Sequence, residues 1–316
     1  MSTHRNRLPQ LAGGLFLTDG GIETDLIFND GLELPHFAAF HLLKDERGTA
    51  ALRAYFVRYA RIAKARGTGF ILESPTWRAS RDWGDRLGYS KAALADANAR
   101  SIALLDELRA ELADARTPMV VSGCVGPRGD GYDPGRLMSA QEAQAYHDEQ
   151  IATLAASGAD MIAAITMTNA AEATGLVRAA KAAGMPVAVS FTLETDGRLP
   201  TGQSLAEAID EVDGETGRYP AYFMINCAHP THFAATLEPG KAWTRRVRGI
   251  RANASRRSHA ELNEAPDLDA GDPDELGAQY RQLMSRHPHI NVLGGCCGTD
   301  HRHIAAIGGA CAKAAA

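Results

Sequence analysis

Met161-Ile162-Ala163-Ala164-Ile165 is a run of five apolar residues that leads, through Thr166-Met167-Thr168-Asn169, into residues 170–183, where apolar side chains return at three- and four-residue steps. A short unbroken apolar run reads as a strand buried on both faces, and the stepped stretch reads as a helix with one apolar stripe. Outward from this pair the same couple recurs in both directions. Apolar runs at 14–18, 69–73, 119–123, 161–165, 187–191, 222–226, 247–251 and 290–293 supply eight strands, and helical patterns at 49–65, 91–112, 140–156, 170–183, 204–212 and 274–286 lie between them. Alternation of this kind specifies βα units around a parallel sheet. Eight units predict a (β/α)8 TIM-type barrel; an open doubly wound sheet is the alternative that the count disfavours. No Ser/Gly linker, charge block or longer repeat marks a boundary, so residues 1–316 are expected to form one domain.

The main polar interruptions, at 23–35, 127–135, 194–202 and 252–273, each follow a strand or its first turn. Barrels carry their functional loops there, and the chemistry is expected at that rim. Composition narrows what the chemistry can be. Of the 316 residues 45% are hydrophobic and 22% charged, which excludes a disordered, collagenous or coiled-coil chain. Asp and Glu number 38 against 33 Lys and Arg, a net charge of −5 that argues against a partner held through phosphates, nucleic acid included. No apolar run of about 18 residues occurs, and the start MSTHRNRLPQ lacks the apolar core of a secretory signal, so the expectation is a cytoplasmic protein with no membrane partner. Five cysteines, two of them adjacent, suit a reducing compartment and a metal or catalytic role better than a disulfide framework.

The cysteines fall at telling places. Leu293-Gly294-Gly295-Cys296-Cys297-Gly298-Thr299 sets two thiols directly after the eighth strand, and Asn226-Cys227-Ala228-His229 sets a third directly after the sixth. In a closed parallel barrel the C-terminal strand ends share one rim, so Cys227, Cys296 and Cys297 can meet and hold one ion. Zinc suits three thiolates, and a catalytic zinc keeps its fourth position open. The glycines of Gly294-Gly295-Cys296-Cys297-Gly298 are expected to turn both neighbouring side chains toward one point, which an extended strand would send to opposite faces. Packed core cysteines and a vicinal disulfide remain open as alternatives. Cys124 and Cys311 have no comparable pattern and read as structural.

These residues resemble the homocysteine S-methyltransferase family, whose zinc-dependent members move a methyl group to a thiol. The resemblance is carried by Leu17-Thr18-Asp19-Gly20-Gly21, by Asn226-Cys227 and by Gly294-Gly295-Cys296-Cys297-Gly298, with weaker support from Ser190-Phe191-Thr192 and Gly126-Pro127. It implies a (β/α)8 barrel, Cys227, Cys296 and Cys297 as zinc ligands, an acceptor thiol in the fourth position, and Asp19 and Gly20 near the amino-acid end of that acceptor. It also implies a homocysteine acceptor giving methionine. A sulfonium donor, S-methylmethionine or S-adenosylmethionine, fits better than methylfolate, because members using methylfolate join further domains to the barrel. The expected partners are thus a small-molecule thiol and a methyl donor, and the sequence leaves homo-oligomer formation open.

The pattern also breaks. The resemblance places at the end of the fourth strand a glutamate that contacts the acceptor's ammonium group, and Ile165 stands there instead. Another acid must substitute, or the acceptor is a different thiol or selenol. Glu73, Glu194 and Glu23 are the candidate substitutes, with Asn226 as a further substrate contact, and Trp77 could face a sulfonium methyl. The basic run Arg245, Arg246, Arg248, Arg251, Arg256 and Arg257 reads as a solvated face or a loop holding a carboxylate. Two other functions stand behind the methyltransferase: a metal-dependent hydrolase, for which no His-x-His pair appears at the first strand, and a structural zinc site, which needs a fourth ligand such as His229 or Cys124.

Overall fold

The computed structural model describes residues 2–265 and 267–312. Eight strands, β1 Phe16–Leu17, β2 Gly69–Glu73, β3 Met119–Val125, β4 Met161–Met167, β5 Val187–Thr192, β6 Tyr222–Asn226, β7 Val247–Ala252 and β8 Val292–Gly295, close into a parallel barrel in sequence order. Around it run α1 Glu46–Arg66, α2 Lys91–Leu112, α3 Ala140–Ala156, α4 Ala170–Ala182, α5 Leu205–Thr216, α6 Pro230–Phe233, α7 Pro273–Arg286 and α8 His301–Cys311. The predicted barrel is therefore the observed one, and the open sheet is not. None of the described helices is long and apolar enough to cross a membrane.

Strand ends moved where side-chain patterning is silent about the backbone. The run at 14–18 yields only Phe16–Leu17, because Gly14 has φ +83 and cannot extend the strand. The eighth strand starts two residues later than expected and runs on through Gly294 and Gly295. Helix limits follow their caps: Asp45 accepts from the Gly48 amide to start α1, and Ser204 with Glu207 forms a reciprocal cap on α5.

Two apolar layers result. Outward-facing strand residues such as Leu72, Val121, Ile162, Val189, Ile225, Ile250 and Leu293 pack beneath the helices. Inward-facing Phe16, Ile71, Val120, Met161, Ala188, Tyr222, Met224 and Val292 fill the lower barrel, with Leu8 of the N-terminal segment closing its floor. That segment is tied down by buried Asp160, which accepts from the amides of Thr3, His4 and Val121 and from Arg109. Toward the C-terminal rim the same inward rows change character. Two residues beyond Ile71 comes Glu73, beyond Met224 comes Asn226, and beyond Gly249 comes Arg251, as the twofold alternation of a strand requires. The barrel is dry at its base and ionic at its mouth.

Candidate active site

Among the described residues, Cys227, Cys296 and Cys297 form the one group of cysteine, histidine and acidic side chains placed to hold a metal ion, their sulfurs all within 4.8 Å of one another. Cys227 and Cys296 are in disulfide contact with Cα atoms 5.5 Å apart, and Cys227 and Cys297 sulfurs are separated by 3.9 Å. Three sulfurs bonded to zinc at about 2.3 Å in a tetrahedron lie about 3.8 Å from each other. The Cys227–Cys297 spacing already fits such an ion, and reduction of the Cys227–Cys296 pair would leave three thiols around one point.

The backbone around each sulfur is fixed by neighbours. Cys227 has φ +52, a left-handed conformation that a side-chain-bearing residue adopts only under constraint. The constraint comes from its amide, which donates to the Arg251 carbonyl at 3.2 Å, and from its carbonyl, which accepts from His259 Nε2. Cys296 and Cys297 stand in a turn past the end of β8, not on the strand itself. The Cys296 amide donates to Ala252 O, and the Cys297 carbonyl accepts from the Ala254 amide. Of the glycines, Gly298 serves the turn with φ +78, whereas Gly294 and Gly295 serve contact: a Cβ on either would strike Thr18 or Thr299. The expectation that all of them turn the chain is corrected accordingly. On the facing side Gly21 passes so close that a Cβ would lie 2.5 Å from the Cys296 carbonyl oxygen.

Tyr132, from the loop between β3 and α3, covers the sulfurs. Its hydroxyl is 3.0 Å from Cys297 Sγ and 3.7 Å from Cys227 Sγ, and its ring lies against the His259 ring at 3.9 Å between centroids. Burial pushes the Cys297 thiol pKa up, and the Tyr132 hydrogen bond opposes that rise. A metal ion would reverse it, since thiolate is the ligand form.

Beside the sulfurs lies a buried ionic triad. Arg251 Nη2 donates to Asp19 Oδ1 at 2.6 Å and Nη1 to Glu73 Oε2 at 3.3 Å, while Nε donates to the Gly295 carbonyl. Tyr55 completes Asp19 through Oδ2 at 2.8 Å, whereas Glu73 Oε1 is buried with no partner. Burial raises the pKa of both carboxyls and Arg251 opposes the rise. Each Asp19 oxygen thus has one donor from the protein, and Gly20 lets the chain pass Tyr59 and Thr299, where a Cβ would come within 2.8 Å and 3.0 Å.

The remaining sequence candidates divide clearly. Asn226, fully buried, accepts from Ser190 Oγ and the Thr166 amide and donates to Thr166 Oγ1, with Cys296 Sγ 4.0 Å away. It is a crossbar under the cysteines, its oxygen held by two donors and its amide nitrogen by Thr166. Glu194 reaches His259 Nδ1 at 3.5 Å, outside the sulfurs. Ile165 joins Cys124 and Ala163, with Trp77 packed on them, as an apolar wall of the mouth. Trp77 is already engaged, donating to Ile165 O and carrying the Arg78 guanidinium 4.9 Å from its ring. His229 bonds Thr231 and lies outside the metal-ligating group.

Sequence reasoning did not single out Arg251, Tyr132 or His259. Arg251 was hidden in a basic run, although its position two residues beyond Gly249 on the inward row was a usable signal. Tyr132 and His259 come from loops, and no local pattern announces them.

Residues 16–311 match the model of the homocysteine S-methyltransferase family. Homocysteine S-methyltransferase 4 of Zea mays is 24% identical over 307 residues, covering 91% of this chain and 86% of that protein. In fold, the chain is similar to crystal structures of the homocysteine methyltransferase MmuM from Escherichia coli. The oxidized form gives a TM-score of 0.74 at 22% identity, covering 93% of this chain and 94% of that one. The metallated form gives 0.71 at 20% identity, covering 97% and 99%. With the family pattern spanning the barrel from its first strand to its last helix, the chain belongs to the homocysteine S-methyltransferase family and is a methyltransferase.

Proposed function

We propose that the enzyme transfers a methyl group from a sulfonium donor, S-methylmethionine or S-adenosylmethionine, to the thiol of homocysteine, giving methionine, with zinc held by Cys227, Cys296 and Cys297. The convergence of the three sulfurs at the C-terminal rim carries this reading. The chemistry of the donor set agrees, since three soft thiolates select zinc and leave one position for an incoming sulfur. Zinc, when bound, would keep the acceptor thiol deprotonated at neutral pH. The reading takes residues 1–316 as one domain and places the enzyme in the cytoplasm, where a reducing environment keeps the cysteines as thiols.

In the reaction the acceptor's S–CH3 bond forms as the donor's S–CH3 bond breaks. The bonding pair leaves with the donor sulfur, which becomes a neutral thioether, and the acceptor proton goes to solvent. The barrel's task is to hold acceptor sulfur, methyl carbon and leaving sulfur in line. The Arg251 carbonyl fixes the Cys227 corner, Asn226 Nδ2 points toward the Cys296 sulfur, Gly21 backs the Cys296 turn, and Tyr132, packed on His259, covers the Cys227 and Cys297 sulfurs.

A closed structural zinc site would need a fourth protein ligand, and neither His229 nor Cys124 joins the three sulfurs. The test is Cys297→Ser, assayed after dithiothreitol treatment for bound zinc and for methylation of homocysteine. Zinc content and turnover are expected to fall together, turnover by more than about 100-fold. Retained zinc with full turnover would remove Cys297 from the mechanism.

A further inference from the structure

Asn226 closes the inward row of β6 after Tyr222 and Met224, so the twofold alternation of a strand would send the next side chain, Cys227, outward beneath the helices. Its sulfur meets Cys296 and Cys297 because the backbone turns at that residue, with φ +52. The metal-ligating group therefore hangs on one left-handed torsion at a residue that is not glycine. Two hydrogen bonds flank it. The Cys227 amide donates to the Arg251 carbonyl, extending the pairing of β6 with β7, and the Cys227 carbonyl accepts from His259 Nε2. Rotation about the Cys227 N–Cα bond leaves the amide in place but swings side chain and carbonyl together. Of the two bonds it is the one to His259 that senses the torsion aiming the sulfur.

His259 is held in place from three loops of the C-terminal rim. Its own backbone opens the helix His259–Glu264 in the β7–α7 loop, where Ser258 and Glu261 cap each other. Its ring, in a residue 7% exposed, lies against the Tyr132 ring from the β3–α3 loop. Its Nδ1 stands 3.5 Å from Glu194 Oε1 of the β5–α5 loop. A carbonyl oxygen only accepts, so Nε2 carries the hydrogen, and the ring neighbours fix the direction in which that hydrogen points. The imidazole touches none of the three sulfurs. It reaches the cysteine cluster through the backbone of one ligand, and that backbone is where the strain lies.

We propose that His259 is a positioning residue for the metal centre, its Nε2–H bond to the Cys227 carbonyl holding the left-handed turn that brings Cys227 Sγ into the ligand set. This rests on the methyltransferase reading above, in which the three sulfurs hold the zinc. Without the bond, Cys227 relaxes toward extended backbone, its sulfur turns away from the rim, and Cys296 and Cys297 are left as a two-thiolate site. Glutamine and asparagine at position 259 separate this role from the packing of the ring. Both lose the aromatic contact with Tyr132, but a glutamine amide reaches as far as Nε2 and can donate to the Cys227 carbonyl, whereas an asparagine amide, one methylene shorter, cannot.

The test is metal binding to reduced wild-type protein, His259→Gln and His259→Asn, with Cys227→Ser as the reference for a lost ligand and the melting temperature of the metal-free proteins as the control on folding. Cobalt(II) is the spectroscopic probe, because its thiolate charge-transfer absorbance grows with the number of bound thiolates, and zinc affinity is measured by competition with a chromophoric chelator. Neither readout needs a methyl donor. Wild-type protein is expected to bind cobalt through three thiolates. His259→Asn is expected to lose about one third of that absorbance, as Cys227→Ser does, and to hold zinc roughly 10–100-fold more weakly. His259→Gln is expected to keep the three-thiolate absorbance and to stay within roughly threefold of wild-type affinity. Full absorbance with wild-type zinc affinity in His259→Asn, or equal losses in the two variants, would overturn the positioning role and leave the methyltransferase reading standing. Wild-type protein that binds cobalt through fewer than three thiolates would overturn both.

Discussion

Replacing Arg251 by Met removes the one cation shared by two buried carboxylates and keeps a stem of similar length. Arg251 is 7% exposed and Asp19 3%, so water cannot take over the lost contacts. Removing one partner of a buried ion pair costs about 3–5 kcal/mol, because the charge left behind has no compensation. Unfolding entropy near 60 °C of about 2.1 cal/mol/K per residue, over a chain of this length, converts that to a melting temperature about 5–8 °C lower. The loss should also depend on pH. Burial already raises the Asp19 and Glu73 pKa values, and Arg251 is the main group opposing it. Without Arg251 both rise further above their unfolded values. The folded variant then holds more protons than the unfolded chain across neutral pH, so its stability falls as pH rises through that range. Thermal unfolding of reduced protein at pH 5 and pH 8 measures this, with the larger deficit expected at pH 8. Adding Asp19→Asn and Glu73→Gln to Arg251→Met should recover most of the loss, since no bare charge remains. A deficit under about 1 °C, or one equal at both pH values, would refute the electrostatic reasoning.

Gly21→Ala places a Cβ 2.5 Å from the Cys296 carbonyl oxygen and must push the cysteine turn outward; zinc affinity measured by competition with a chromophoric chelator is expected to fall at least roughly tenfold while the barrel's circular dichroism is unchanged. Tyr132→Ala uncovers the sulfurs, so alkylation of reduced, metal-free protein by iodoacetamide should label Cys297 several-fold faster, whereas Tyr132→Phe, which keeps the ring against His259, should stay near the wild-type rate; equal rates for all three would deny Tyr132 its covering role.

The strands were legible because a barrel strand buried on both faces is a simple signal, and Met161–Met167 or Val187–Thr192 needs no tertiary context to be recognised. The three cysteines were legible for a topological reason. Once eight parallel strands close, residues following β6 and β8 must share a rim, whatever the loops do. The charge pairing was not legible, because it is settled across the barrel. Arg251 on β7 meets Asp19 after β1 and Glu73 on β2, partners 232 and 178 residues away, and no local window contains both ends. Asn226 has the same long-range character. Its polar type beside Cys227 suggested a ligand contact, but Thr166 and Ser190 had already claimed its amide.

Asp19 and Glu73 sit nearest the motif that resembles the family, and the Arg251 that pairs with both also donates to the Gly20 and Gly295 carbonyls beside the cysteine turn, with Tyr55 a second donor to Gly20. A ligand that pairs with Asp19 would share it with Arg251 and Tyr55, whereas Glu73 keeps one oxygen, Oε1, outside its pairing with Arg251. Three acids at the mouth, Asp19, Glu73 and Glu23, face two cations, Arg251 and Arg78, and three thiolates around a divalent ion would add one more negative charge. That field attracts a sulfonium donor before reaction and has no hold on the neutral thioether after it. The same carboxylates that draw the proposed donor in let its product go, so catalysis and release ask for the same unbalanced charge at the rim.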